Sequence, residues 1–350
     1  MTDLVDHVSR PPDVKGRSAQ FADCSHDVAP LLSVEDLNIF VEGSGGRYNI
    51  VEDVSFQIDA GEIVGLVGES GSGKSMIGMS LMRLLPRGVR AEGKIMLGGK
   101  DLLALSEREI RRVRGGSIGT IFQEPVSALN PAFTIGNQII SAIRAHQACT
   151  PKQAKDRAVE LLDQVRIPNP RVRLDLYPHQ LSGGMCQRVM IAMALAGGAR
   201  LIVADEPTTS LDVTIQGQIV KLIETLVRDT GISVLFISHD LGLVSQLCDR
   251  LAVAYAGQIV ETGDCRKVLS TAAHPYTQAL IDCVPSMRDA GVLLRGIPGY
   301  PPLPGGWPAG CHYAQRCAHA AAACGEPQST LPLAEGRAAR CWRALEMVRA

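Results

Sequence analysis

The chain lacks three things that would place it at once. It has no run of about 20 apolar residues, so no segment reads as a membrane-spanning helix. Its longest apolar-looking stretch, 189–204, is interrupted by Gly197, Gly198 and Arg200. It has no charge excess: 35 basic residues face 36 acidic ones, a formal net charge of -1. A protein that coats nucleic acid through net charge alone is therefore excluded. The first ten residues carry Asp3 and Asp6 and no apolar core, so they do not read as a secretory signal. Without such a signal, the ten cysteines do not read as a disulfide framework. No long internal repeat is present.

What is present suits a folded chain. Its 350 residues, 46% of them hydrophobic, can bury a sizeable core as one large domain with an appendage, or as two domains. Residues 1–30 are polar and interrupted by prolines, and read as a disordered leader. From Leu31 the pattern alternates as in half-buried antiparallel strands, with a turn at 43–46. Short apolar runs at 62–67, 201–204 and 232–237 then alternate with helical patterns, including 75–85, a charged helix near 106–114 and a mostly helical stretch over 130–175. That alternation predicts an α/β fold with a mainly parallel, covered sheet. Prolines and glycines crowd 285–310, which reads as a linker or irregular surface wrap.

Two segments carry phosphate chemistry. Residues Gly68, Glu69, Ser70, Gly71, Ser72, Gly73, Lys74 and Ser75 fit the phosphate-loop pattern between a strand and a helix. Glycines let the backbone curl so that its N–H groups face phosphates, and the following helix start adds its positive end. Lys74 would reach the β- and γ-phosphates, and the Ser75 hydroxyl would bind Mg²⁺. The apolar run 201–204 ends in Asp205 and Glu206. Asp205 suits Mg²⁺, and Glu206, one residue further, can orient or deprotonate a water. Together these segments point to a P-loop nucleoside triphosphatase.

A third segment, Leu181-Ser182-Gly183-Gly184-Met185-Cys186-Gln187-Arg188, resembles the signature loop of ATP-binding-cassette (ABC) ATPases. The remaining landmarks follow in order: Gln123 in IFQEP, Asp212 after Ser210-Leu211, and His239 in FISHD. Tyr48 lies about twenty residues before the phosphate loop and resembles the aromatic that stacks on adenine. The resemblance implies a P-loop cassette with a RecA-like core, an antiparallel β subdomain and a helical subdomain at about 125–185, together spanning 31–265. It implies head-to-tail pairing, in which Ser182, Gly183 and Gly184 of one copy face the ATP of the other and Asp212 would couple the two sites across the interface. Glu206 would be the general base, His239 would contact the γ-phosphate, and Gln123 would sense Mg²⁺ and the attacking water. Cys186 departs from the usual polar residue of the signature helix.

Within that family, 205–216 and 122–131 resemble the dipeptide/oligopeptide (and nickel) importers. So does the extension 266–350, which begins near His274-Pro275-Tyr276-Thr277 and ends in Cys311, Cys317, Cys324 and Cys341. Their spacings, x5, x6 and x16, are not the paired C-x₂-C of a zinc ribbon. Four thiolates from an irregular loop suit a [4Fe–4S] cluster, which the resemblance allows; Zn²⁺ or free thiols are the alternatives. The resemblance further implies two transmembrane permease subunits, a second cassette (different or identical), an extracytoplasmic solute-binding protein, no nucleic acid, and a peripheral place on the cytoplasmic face of the inner membrane. The expected cargo is a short peptide; nickel, another small solute, or a non-transport role is the alternative.

Overall fold

The computed structural model describes residues 29–43, 46–284 and 296–348. The expected leader, 1–30, lies outside these apart from Ala29 and Pro30, as do two residues of the turn at 43–46 and residues 285–295 of the Pro/Gly-rich stretch.

The alternating N-terminal segment forms a hairpin of β1 (Leu32–Gly43) and β2 (Gly46–Ile58). Leu32 faces Ile58 and Phe40 faces Asn49 across it. After β3 (Ile63–Val67) and α1 (Lys74–Ser80) come β4 (Val89–Leu97) and β5 (Lys100–Asp101). These complete a four-stranded antiparallel sheet in the order β2-β1-β4-β5. The charged helix is α2 (Glu107–Val113), closed by a reciprocal capping box between Ser106 and Glu109.

Strand β6 (Ile118–Ile121) leads into the helical stretch of α3 (Pro125–Ala128), α4 (Ile135–His146), α5 (Pro151–Gln164) and α6 (Pro170–Arg173). Ile135, Ile139 and Ile143 on α4, with Ala154, Ala158, Leu161 and Leu162 on α5, are buried at helical spacing and join one core. Next come α7 (Gly183–Leu195), β7 (Leu201–Asp205), α8 (Val213–Thr230), β8 (Ser233–Ser238), α9 (Leu241–Leu247), β9 (Arg250–Tyr255) and β10 (Gln258–Asp264).

Strands β9-β3-β8-β7-β6 pair in parallel as expected. Their side chains alternate between two cores. On β3, Ile63 and Val67 join the core shared with α4, α5, α7 and α8, whereas Val64 and Leu66 face the core under the antiparallel sheet. Gly65 belongs to the first side, where a Cβ would come within 2.9 Å of Val244 Cγ1. The strand therefore admits no larger residue there without moving α9.

The chain after β10 is less separate than a linker and appendage would be. It forms α10 (Cys265–Ser270) and α11 (Pro275–Asp282), and its last part adds β11 (Leu331–Pro332), β12 (Ala338–Ala339) and α12 (Ala344–Met347). Strands β12 and β11 extend the main sheet antiparallel beyond β10, so that sheet has eight strands. Glu261 on β10 holds this junction. It is 1% exposed and accepts hydrogen bonds from the backbone N–H groups of Ala273 and His274, each at 2.9 Å, and from Arg337 Nη2 at 3.0 Å. Among the described residues no helix is long and apolar enough to cross a membrane.

The Glu261–Arg337 pair is buried on both sides, so removing one partner strands the other charge. Glu261→Ala is expected to destabilise the chain by about 3–5 kcal/mol in chemical denaturation. A loss under about 1 kcal/mol would show that docking of the C-terminal segment does not depend on this carboxylate.

Candidate functional site

Strand β3 ends at Val67 and the backbone curls through 68–73 before α1 begins. Two glycines make the curl possible. Gly68 has φ 153°, and a Cβ there would lie 2.0 Å from the carbonyl oxygen of Ala254. Gly73 has φ 97°, and its Cβ would meet Val51 Cγ2 at 2.9 Å. Ser70 and Gly71 form the exposed crest, while Ser72 is buried. Lys74 folds back over the loop. Its Nζ donates to the carbonyls of Gly68 and Glu69 at 2.8 and 2.9 Å and to Ser72 Oγ at 3.3 Å. Burial lowers the Lys74 pKa, opposed by the nearby charges of Glu206, Asp205 and Glu69.

The end of β7 supplies the facing acids. Ser75 Oγ donates to Asp205 Oδ1 at 3.1 Å, so an alcohol and a carboxylate oxygen share one point. Hard oxygen donors of this kind fit Mg²⁺. Burial raises the Asp205 pKa, against the Ser75 hydrogen bond that lowers it. Glu206 turns out of the strand with φ 46°, an uncommon backbone for a side-chain-bearing residue, and its N–H donates to the carbonyl of Ile237 at 2.9 Å. Its carboxylate gathers three partners. His239 Nδ1 lies 3.1 Å from Oε1, while Gln123 Nε2 and Thr209 Oγ1 donate to Oε2 at 3.2 and 2.9 Å. Burial acts to raise the Glu206 pKa, but the hydrogen bonds from His239 and Thr209 outweigh it and hold the carboxyl below its ordinary value.

The structure thus brings together Glu206, His239 and Gln123, and beside them Ser75 and Asp205. Thr209 is a partner that sequence reasoning missed. The available signal was its hydroxyl three residues after Glu206, within hydrogen-bonding reach across a turn. Ser182, Gly183, Gly184 and Asp212 stand apart from the loop. Ser182 caps α7, its Oγ accepting from the Met185 N–H at 3.4 Å, and Asp212 caps α8, its Oδ1 accepting from the Ile215 N–H at 3.0 Å. A Cβ on Gly184 would meet Ile215 Cγ2 at 2.9 Å, so the two helix starts sit together. Tyr48 is 41% exposed on β2, and Gly305 of the C-terminal segment lies against its ring. Cys186 is fully buried, with burial raising its pKa, so it is a packed and unreactive thiol rather than a surface one.

The terminal cysteines converge without forming a metal site. Cys311, Cys317, Cys324 and Cys341 line one small cavity with His274 and Trp342. Trp342 Nε1 donates to Cys324 Sγ at 3.3 Å, and the N–H of His319 to Cys317 Sγ at 3.4 Å. Among the described residues no group of three or more His, Cys, Asp or Glu side chains is placed to hold a metal ion. The expectation of a [4Fe–4S] cluster or zinc is therefore not supported by this arrangement. A tetrahedral zinc site requires its sulfurs about 2.3 Å from one ion.

Comparison with known proteins agrees with the geometry. A family model described as "ABC transporter" matches residues 51–209, and one described as "Oligopeptide/dipeptide transporter, C-terminal region" matches 260–324. The chain is 48% identical over 314 residues to a putative peptide import ATP-binding protein of Brucella abortus, covering 89% of this chain and 95% of that protein. It is 44% identical to the dipeptide transport ATP-binding protein DppD of Escherichia coli, over 89% of this chain and 96% of the relative. It is 46% identical to the oligopeptide transport ATP-binding protein OppD of Bacillus subtilis, over 84% and 83%. Among solved structures, a dimeric ATP-binding cassette in a post-hydrolysis state bound to ADP and Pi superposes with TM-score 0.59 at 26% identity, covering 67% of this chain and 99% of that one. A cassette from Clostridium perfringens, part of the ABC transporter complex cbiONQ, gives TM-score 0.60 at 26% identity, over 69% and 91%.

The hydrogen bonds on Glu206 make a direct test. Thr209→Val and His239→Ala are each expected to raise the Glu206 pKa, moving the acid limb of any activity that uses this carboxylate as a base to higher pH. A limb that stays in place in both variants would show that these donors do not set its ionisation.

Proposed function

The chain belongs to the ABC transporter family of ATP-binding proteins, as an ATP-hydrolysing subunit of a peptide importer, and we propose the following division of labour among its residues. The backbone of Gly68, Glu69, Ser70, Gly71, Ser72 and Gly73 cradles the phosphates of ATP, and Lys74 leaves its carbonyl partners to reach the β- and γ-phosphates. Ser75, Asp205 and Gln123 would hold Mg²⁺, which would supply charge neutralisation on the phosphates. Tyr48, half-exposed on β2, stacks on adenine. Glu206 takes a proton from the water that attacks the γ-phosphorus. The new P–O bond forms as the bond to the β-phosphate oxygen breaks, leaving ADP and phosphate. His239 and Gln123 keep the carboxylate aimed, and His239 contacts the γ-phosphate.

One observation carries this reading. A single ionised carboxylate, Glu206, is held by His239, Gln123 and Thr209 directly beyond the Ser75–Asp205 pair. The hydrogen bonds from His239 and Thr209 favour the ionised carboxylate, the form that can accept a proton.

The second half of the site comes from another cassette. Ser182 and Asp212 cap their helices, Gly184 packs on Ile215, and Ser182, Gly183 and Asp212 stay exposed, which supports facing them toward a partner copy. The division into a cassette at 31–265, with a helical part at about 125–185, and an extension at 266–350 is part of the same proposal. It is supported by the packing of α4 and α5 and by the onset of α10 at Cys265. The chain pairs with a second cassette, a heterodimer in this reading, on the cytoplasmic face of the inner membrane. It docks peripherally on two permease subunits supplied by an extracytoplasmic binding protein. The cargo is a short peptide, supported by the relatives' names.

Glu206→Gln is expected to lower ATP turnover by about 10²–10⁴-fold and to accumulate an ATP-bound cassette dimer on size exclusion. Hydrolysis at the normal rate would remove the general-base assignment.

A further inference from the structure

Glu69 is the one acidic residue in the phosphate loop 68–75. Its position is awkward for a loop whose ligand is a polyanion, because an ionised carboxylate beside the phosphates opposes binding. The structure shows how that charge is managed, and the means come from the C-terminal extension.

Arg316 grips Glu69 with both arms of its guanidinium. Nη1 lies 2.6 Å from Oε2 and Nη2 lies 3.0 Å from Oε1. This fork-on-fork geometry fixes direction as well as charge. The Arg316 side chain is 4% exposed and that of Glu69 27%. Three further side-chain hydrogen bonds hold Arg316 in place. Nε donates to the carbonyl of Pro298 at 2.8 Å, Nη2 to the carbonyl of Ile297 at 3.3 Å, and Nη1 to the Tyr255 hydroxyl at 3.2 Å.

The backbone of Glu69 is tied as well. Its N–H donates to the Tyr276 hydroxyl at 2.9 Å, and its carbonyl accepts from Lys74. Tyr276 lies on α11 and is fully buried. The rings of Tyr255, Tyr276 and Tyr313 pack against one another, with centroids 4.4, 5.2 and 5.3 Å apart. The Arg316 guanidinium lies over the rings of Tyr255 and Tyr313, 5.7 and 6.0 Å from their centroids. One loop residue is thus held by backbone and side chain from two points of the extension, at α11 and at the Cys311–Cys317 turn.

We propose that Arg316, seated on Tyr255 and Tyr313, is a positioning residue that neutralises the Glu69 carboxylate and turns it away from the phosphate nest, so that the C-terminal extension sets the affinity of this chain for ATP. The proposal rests on the reading of 68–75 as the ATP phosphate loop. Arg316 acts through Glu69 and touches no substrate. Its removal leaves an unpaired negative charge at the mouth of the loop.

The test is equilibrium binding of Mg-ATP and steady-state hydrolysis by the full chain, for the wild type, Arg316→Ala, Arg316→Gln and the double variant Glu69→Gln/Arg316→Ala. Arg316→Ala is expected to raise Kd and KM for ATP by about tenfold, with kcat at saturating ATP within about twofold. Arg316→Gln keeps polar reach to the Pro298 and Ile297 carbonyls but lacks the charge, and is expected to weaken binding likewise; it serves if the alanine variant does not fold. The double variant has no carboxylate to neutralise and is expected to return to within about threefold of wild-type affinity. A lowered Tm with unchanged Kd in both single variants would overturn the proposal, as would a double variant that binds no better than Arg316→Ala. A wild-type chain that binds no ATP would instead overturn the phosphate-loop reading, and the clamp's function with it.

Discussion

Parallel pairing places Val67 of β3 opposite Ser238 of β8, Asp205 of β7 opposite Ile237, and Ile121 of β6 opposite Ala204. In a parallel sheet every strand delivers its C-terminal end to the same edge. The loop 68–75, the acids 205–206, His239 and Gln123 are each within a few residues of such an end. They therefore meet although up to about 170 residues separate them in the chain. Open α/β sheets bind ligands outside the carboxyl ends of their strands for this reason. A one-residue slip of β7 against β8 would turn Glu206 to the opposite face and dissolve the site.

Two adjacent carboxylates then acquire different characters from their surroundings. Burial pushes Asp205 up, toward the neutral form, until a cation or donor meets it. Glu206 is held down by His239 and Thr209. Pairs of acids separated in this way are how one site assigns distinct tasks to like residues. The left-handed backbone at Glu206 is part of the arrangement, because it lifts the carboxylate out of the strand's alternation and toward Gln123 and His239.

The core and most of the site were legible in the residues. Strict apolar runs at β3, β7 and β8, glycines where a Cβ would collide, and the alternation of the first hairpin are local consequences of side-chain size and hydropathy. So were Lys74, Ser75, Asp205, Glu206, Gln123 and His239, because their order along the chain carries the pattern. Thr209 was not, since a threonine near a strand end has no chemistry of its own until a carboxylate turns toward it. Burial of Cys186 was equally hidden: a thiol on the signature helix reads the same in sequence whether it faces solvent or the core.

The C-terminal extension marks the boundary between the two kinds of knowledge. Its prolines, glycines and cysteines announce an irregular segment, and irregular segments have no periodicity from which contacts can be read. Only the folded chain shows that Ala338 and Ala339 extend the main sheet, that Arg337 completes the shell of a buried Glu261, and that Arg316 reaches a loop residue 247 positions away. Composition and motif pointed to the type of fold, to the glycine-rich loop and to the groups proposed here as catalytic, because those depend on local backbone and side-chain chemistry. The tertiary structure decided which carboxylate each cation serves, because a pairing of charges depends on distance in space, and spacing along the chain does not encode it.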